Sequence, residues 1–175
     1  MKYSDIPQFL KFNYEIDAEW DYLETILKGY EEDEGLDLNP DFQRAHIWTE
    51  KQQVDYIEYV LKGGEVGKQI IFNNEGGRLN WGRLTLIDGK QRLEAARKFM
   101  RDKLRVFGCF YSEITGRRRL LHASFKFRMC CLTTREEILQ LYLNINAGGT
   151  PHTKEELDKV RKMLKKEKKL KMKKG

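Results

Sequence analysis

A chain of 175 residues with 40% hydrophobic and 34% charged residues has the composition of one globular domain with a modest core and a heavily charged surface. No run of about 18 apolar residues occurs, so a membrane-spanning helix is excluded, and residues 1–7 lack the apolar stretch of a signal peptide; a cytoplasmic protein is expected. The net charge of +6 is unevenly placed: residues 154–175 hold eleven Lys or Arg and four Asp or Glu, a net of +7 that leaves −1 for the preceding 153, and residues 15–37 hold ten acidic side chains against Lys28 alone. An acidic front and a basic tail predict a domain over 1–153 followed by a basic C-terminal helix or tail over 154–175. Lys162, Lys165, Lys166, Lys168 and Lys169 are the candidate DNA contacts, acting through counterion release; a solvated helix end is the plainer reading of the same residues. Cys109, Cys130 and Cys131 are odd in number and lack a Cys-x-x-Cys spacing. They read as buried structural thiols rather than as disulfides or zinc ligands.

In chain order, Asp17 is placed to cap a helix in which Trp20, Leu23 and Leu27 recur, ended by Gly29 and the acidic run 31–35. Residues 36–42 alternate and then meet Pro40, which predicts a short strand leaving into a loop. Thr49 with Gln52 forms a capping-box pattern. Val54, Ile57 and Leu61 share the face of the helix that follows, and Gly63-Gly64 supplies its stop. Residues 69–73 and 83–87 read as strands around turn chemistry at 74–77. A tight Asp88-Gly89 turn then leads into a helix with Leu93, Ala96 and Met100 on one face. Segments 104–111 and 125–132 look like β segments. Thr134 with Glu137 opens a helix carrying Ile138, Leu141, Tyr142 and Ile145. Thr153 with Glu156 opens a last helix carrying Leu157, Val160 and Leu164. Some neighbouring strands are too close for helical crossovers, so the predicted class is α+β, with a small mixed β-sheet flanked by helices.

The segment 84–97 carries the most chemistry. A buried strand, a tight turn and a helix opening on Lys90-Gln91-Arg92 would gather backbone N–H groups, the positive end of a helix dipole and two cations at one spot, which suits a phosphate. Asp88 beside it could ligate magnesium. A βα turn with these side chains in water is the bland alternative. Two further polar clusters sit at loop-to-helix junctions: Asn39-Pro-Asp-Phe-Gln-Arg44 with Trp48, and Asn144-Ile-Asn146-Ala-Gly-Gly-Thr150. Arg44 and Arg92 can grip phosphate bidentately, and Gly148 and Gly149 allow close backbone approach. The Walker-like stretch Gly63-Gly-Glu-Val-Gly67-Lys68 fails, because its spacing is a residue short and no Ser or Thr follows the lysine. His46, His122 and His152 have no metal-ligand spacing, which argues against zinc or HNH-type chemistry.

Pro40-Asp-Phe-Gln-Arg44 with Trp48, Ile87-Asp-Gly-Lys-Gln-Arg-Leu93, and Asn146-Ala-Gly-Gly-Thr-Pro151 with Glu155 or Glu156 together resemble the N-terminal domain of GmrSD-type modification-dependent restriction systems. That family belongs to the ParB/sulfiredoxin-like superfamily. The likeness runs from about Leu36 to Val160, and the small size is similar to stand-alone, phage-type members. It implies a ParB/sulfiredoxin-like fold and a nucleoside triphosphate with Mg2+ as cofactors. Asp88, which would also be the metal ligand, and Arg92 would be catalytic. Gln43, Arg44, Gly89, Lys90, Gln91, Asn146, Gly148 and Gly149 would bind the nucleotide. The family has Gln where this chain has Lys90, an extra cation that is compatible with phosphate binding. Longer relatives couple the nucleotide to DNA cleavage through a C-terminal HNH-type domain, for which this lysine-rich end is expected to leave no room. Two functions stay open: an NTPase that acts on or with DNA, with DNA nicking as its furthest form, or a non-catalytic nucleotide- or DNA-binding module that engages a host or viral protein.

Overall fold

The computed structural model describes residues 14–45, 47–76, 82–115, 123–146 and 154–172. Its centre is built from the most apolar segments of the chain. Strands β2 (Gln69–Asn74) and β3 (Leu84–Asp88) are buried almost throughout, as segments covered on both faces must be. Strands β1 (Tyr14–Glu19) and β4 (Ser124–Cys130) alternate instead, with Ala18, Phe125, Phe127 and Met129 inward and Lys126 in water. The four form one sheet in the order β1-β4-β2-β3. β1 and β2 flank β4, antiparallel and parallel respectively, and β3 returns antiparallel to β2 across a bulge at Ile71/Phe72. The fold is therefore α+β around a mixed sheet.

Each face of the sheet carries its own core. On one, Ile70, Phe72, Leu84, Leu86 and Phe127 pack against α1 (Leu23–Glu34), α2 (Glu50–Leu61) and α3 (Lys90–Met100) through Leu27, Ile57 and Phe99. On the other, Ile71, Ile87 and Cys130 meet Phe42, α4 (Arg135–Asn146) and α5 (Lys154–Met172) through Leu139, Tyr142, Val160 and Leu164. The β1–β4 half carries ion pairs instead, Glu15 with Arg128 at 2.6 Å and Asp17 with Lys126 at 3.4 Å. Buried Asn73 donates to the Leu132 carbonyl and accepts from its N–H at 2.7 Å, which fixes the chain where β4 turns toward α4. No described helix is long and apolar enough to cross a membrane.

The capping boxes at Thr49 and Thr134 are both made, while Thr153 lies outside the described residues. Four expectations about the elements are corrected. Asp17 does not cap a helix; it is a β1 residue facing Lys126, because the Trp20 side chain is buried at the start of a short 3-10 turn and α1 begins only at Leu23. Gly29 does not end α1, since the helix continues to Glu34 and stops at Gly35, whose φ of +57° suits glycine. Residues 36–42 form no strand, only a bridge in which Asp37 pairs with Leu84 and Leu86 at the β3 edge. Segment 104–111 is a tight reversal closed by Val106 and Cys109, with Phe107 and Gly108 at positive φ; two left-handed residues in succession cannot continue a strand.

Cys109 is exposed, which corrects the expectation of buried thiols throughout; Cys131 is half-buried and Cys130 buried. Burial pushes the Cys130 thiol up to about 12. A thiol-labelling time course on the native protein at mildly alkaline pH should therefore modify Cys109 first and leave Cys130 until denaturant is added. Equal rates at the two would contradict this packing.

Candidate functional site

The β3–α3 junction forms the floor. Gly89 has φ +101° and lies against β2: a Cβ added there would stand 2.5 Å from the Ile70 side-chain terminus and 3.3 Å from its Cα. Glycine alone satisfies both the backbone angle and the close approach. The Gly89 carbonyl accepts from Leu93 N–H at 2.9 Å and opens α3. The N–H groups of Lys90, Gln91 and Arg92 thus have no intrahelical acceptor. No acidic residue occupies the first turn of α3, so the positive end of its dipole is not offset from within the helix. Asp88 does not cap α3, which is capped by Gly89; its Oδ2 instead receives Arg92 Nη2 at 2.5 Å.

The loop after Phe42 is tied to this floor by side chains. Gln43 Nε2 donates to the Leu86 and Ile87 carbonyls at 3.2 and 2.8 Å. Lys90 Nζ donates to the Arg44 carbonyl at 3.2 Å. Gln91 is buried, accepts from the N–H groups of Ile47 and Trp48 at 2.9 and 3.1 Å, and donates to the Ala45 carbonyl at 3.2 Å. These contacts use side-chain groups of Gln43, Lys90 and Gln91 to set the loop, and the loop sets Arg44 and Trp48.

Two walls rise from the floor. One comes from α4: Tyr142, Ile145 and Asn146, whose Nδ2 donates to the Tyr142 carbonyl at 2.7 Å. Burial lifts the Tyr142 phenol to about 12, against the opposing pull of the Arg44 charge. The Arg44 side chain is only 10% exposed, and its Nη1 is buried without a hydrogen-bond partner among the described residues. Glu156 Oε2 lies 3.8 Å from it, close enough for Coulomb attraction but too far for a hydrogen bond. The other wall comes from α2 and the loop after it: Trp48, Tyr56, Val66 and Gly67. The Gly67 carbonyl accepts both Tyr56 Oη at 3.0 Å and Arg92 Nη1 at 2.9 Å. The open cleft between them has a volume of about 370 Å³, within the size range of small-molecule sites.

The structure brings Gln43, Arg44, Asp88, Gly89, Lys90, Gln91, Arg92 and Asn146 to this one cleft. Gly148 and Gly149 lie outside the described residues, as do His46, His122 and His152. Lys162, Lys165, Lys166, Lys168 and Lys169 are exposed on α5, away from the cleft, and four of them line a shallow groove with Leu170. Among the described residues no three His, Cys, Asp or Glu side chains gather as a metal cage, and Asp88 is the one carboxylate that lines the cleft. Sequence reasoning missed Tyr56, Val66, Gly67, Tyr142 and Ile145 as lining residues. Tyr142 and Ile145 read as an apolar helix face, and the rejected Gly63–Lys68 stretch was the available signal for Gly67.

The sequence profile of the GmrSD restriction endonuclease N-terminal domain matches residues 23–128. That is more than half of the chain and includes both the Arg44 loop and the α3 start, so the chain belongs to this family of restriction-system domains, whose work involves DNA. No curated protein and no solved structure matches it.

Buried tyrosines give the fold a pH signature. Burial raises Tyr142 and Tyr30 to about 12 and raises Tyr56 as well. A phenol raised in the folded state contributes stability that is complete below the unfolded value near 10 and is lost as pH climbs through the folded value. Urea midpoints should hold steady up to about pH 9–10 and then fall steeply toward pH 12, with Tyr142→Phe reducing the slope. A midpoint insensitive to pH across that interval would contradict the burial.

Proposed function

We propose that this domain binds a nucleoside triphosphate in the α3 cleft and acts with DNA in the cytoplasm, consistent with the ParB/sulfiredoxin-like reading of its sequence. The observation that carries the proposal is the Arg44 guanidinium beside the opening of α3, whose Nη1 has an ion-pair neighbour in Glu156 at 3.8 Å but no hydrogen-bond acceptor among the described residues. A buried guanidinium N–H left without an acceptor costs free energy. An incoming phosphate would bring acceptor oxygens to the Arg44 guanidinium and to the first-turn N–H groups of α3. Lys90 adds positive charge beside Arg44, Arg92 adds it along the floor toward Gly67, and Asp88 is the acidic group placed to orient water. Mg2+ commonly takes one or two carboxylates and completes its shell with phosphate oxygens and water, so Asp88 fits as its protein ligand. The ion would supply neutralisation of phosphate charge.

A second, non-catalytic reading is favoured by two contacts. Asp88 is held by Arg92, and Lys90 is committed to the Arg44 carbonyl rather than free to position water. Phosphate release from each of the four common triphosphates separates the two readings. Turnover abolished by Asp88→Ala supports the NTPase, and saturable binding without turnover supports the module. Absence of both excludes the nucleotide site.

Arg44→Met keeps the buried stem but removes the charge-assisted hydrogen bond. It should weaken triphosphate binding by roughly 10- to 150-fold, the equivalent of about 1.5–3 kcal/mol, measured by calorimetric titration. An unchanged dissociation constant would remove Arg44 from the site. For DNA, replacing Lys162, Lys165, Lys166, Lys168 and Lys169 together by Gln should flatten the dependence of duplex binding on salt concentration, because fewer counterions are released. An identical salt slope would place the contact elsewhere on the domain.

A further inference from the structure

The two walls of the cleft differ in chemistry. The α4 side meets the charged end at Arg44. The opposite side is aromatic and aliphatic: Trp48 and Tyr56 pack with ring centroids 5.4 Å apart at 61°, and Val66 beside them is 78% exposed. An edge-to-face pair leaves each ring at least one face that the other does not cover. Trp48 is only half-buried although its backbone is pinned, its N–H by Gln91 and its carbonyl by Gln53 Nε2 at 3.0 Å. The Tyr56 ring is likewise fixed through its hydroxyl to the Gly67 carbonyl.

The polar groups at this end are already committed. Tyr56 Oη and Arg92 Nη1 share the Gly67 carbonyl, Arg92 Nη2 holds Asp88, and both ends of the Gln91 amide hold the loop. What remains to offer a ligand, besides the indole N–H of Trp48, is the part of the two rings that does not pack against the core, and an exposed valine. Such a surface suits a flat, weakly polar ring system, and it loses little conformational entropy on contact because its side chains are held beforehand.

We infer that Trp48 and Tyr56 form a base-stacking subsite, on which the nucleobase of the bound nucleotide lies while its phosphates take the end at Arg44 and the start of α3. This assignment rests on the nucleotide reading above and adds to it which wall recognises the organic part of the ligand. Stacking accepts any base, because every base has a π face.

The test compares each common nucleoside triphosphate with inorganic tripolyphosphate, which carries the anionic chain and no base, by calorimetric titration of the full chain. The wild type should bind at least one nucleotide roughly 5- to 150-fold more tightly than tripolyphosphate, the range of a stacked base. Trp48→Leu should bring nucleotide affinity down to that of tripolyphosphate while leaving tripolyphosphate affinity within about twofold, and Trp48→Phe should recover much of the loss. Equal affinities for nucleotide and tripolyphosphate in the wild type would overturn the subsite and leave the phosphate site standing. So would a Trp48→Leu variant that weakens both ligands alike, which would mark the indole as a purely structural part of the loop. Binding of neither ligand to the wild type would overturn the nucleotide reading itself, and the subsite with it.

Discussion

One buried amide holds the cleft in shape. Gln91 stands in the first turn of α3, where its backbone N–H faces the site, and its side chain bridges to three backbone groups of the loop from Ala45 to Trp48. A carboxylate there could accept but not donate, an ammonium could donate but not accept, and a shorter amide would not span the gap. The Gln91 side chain therefore acts as a strut between α3 and the loop, while the residue itself lines the cleft. Because the same loop carries Arg44 toward one wall and Trp48 toward the other, a single side chain fixes the relation between the charged and aromatic ends. Gly89, wedged against Ile70, sets where that strut begins.

Much of this was legible in the sequence, for identifiable reasons. The turn at Asp88-Gly89 and the helix from Lys90 follow from local chemistry: an apolar run ends, a glycine takes a left-handed angle, and an amphipathic period begins. The capping boxes at Thr49 and Thr134 likewise need only four residues each to be recognised. The errors arose where tertiary pairing overrides local pattern. Trp20, Leu23 and Leu27 repeat at helical spacing, but the pairing of Tyr14–Glu19 with β4 claims Asp17 first. Leu104 to Tyr111 carries β-forming residues, yet the positive φ angles at Phe107 and Gly108 reverse the chain within them.

The site was half legible. Residues of the β3–α3 turn and of the Arg44 loop stood out as polar side chains where a core would not ask for them, and the structure puts them together. Their individual employment could not be read. Nothing local shows that Gln43 would hold β3 carbonyls or that Lys90 would reach back to Arg44, because those contacts span more than forty residues. The aromatic wall was hidden for a different reason. Tyr56 sits on the helix that also presents Ile57 and Val60 to the core, so its position one step away on the helical circumference looks like ordinary packing.

The sheet also separates charge. The exposed carboxylates of Glu31, Glu32 and Asp33 belong to a helix packed on one face, whereas the lysines of the last helix belong to the layer on the other. The two groups of like charge thus lie on opposite faces of the sheet. Toward a polyanion, such a placement of charge favours approach with the lysine-bearing layer leading and the carboxylates trailing.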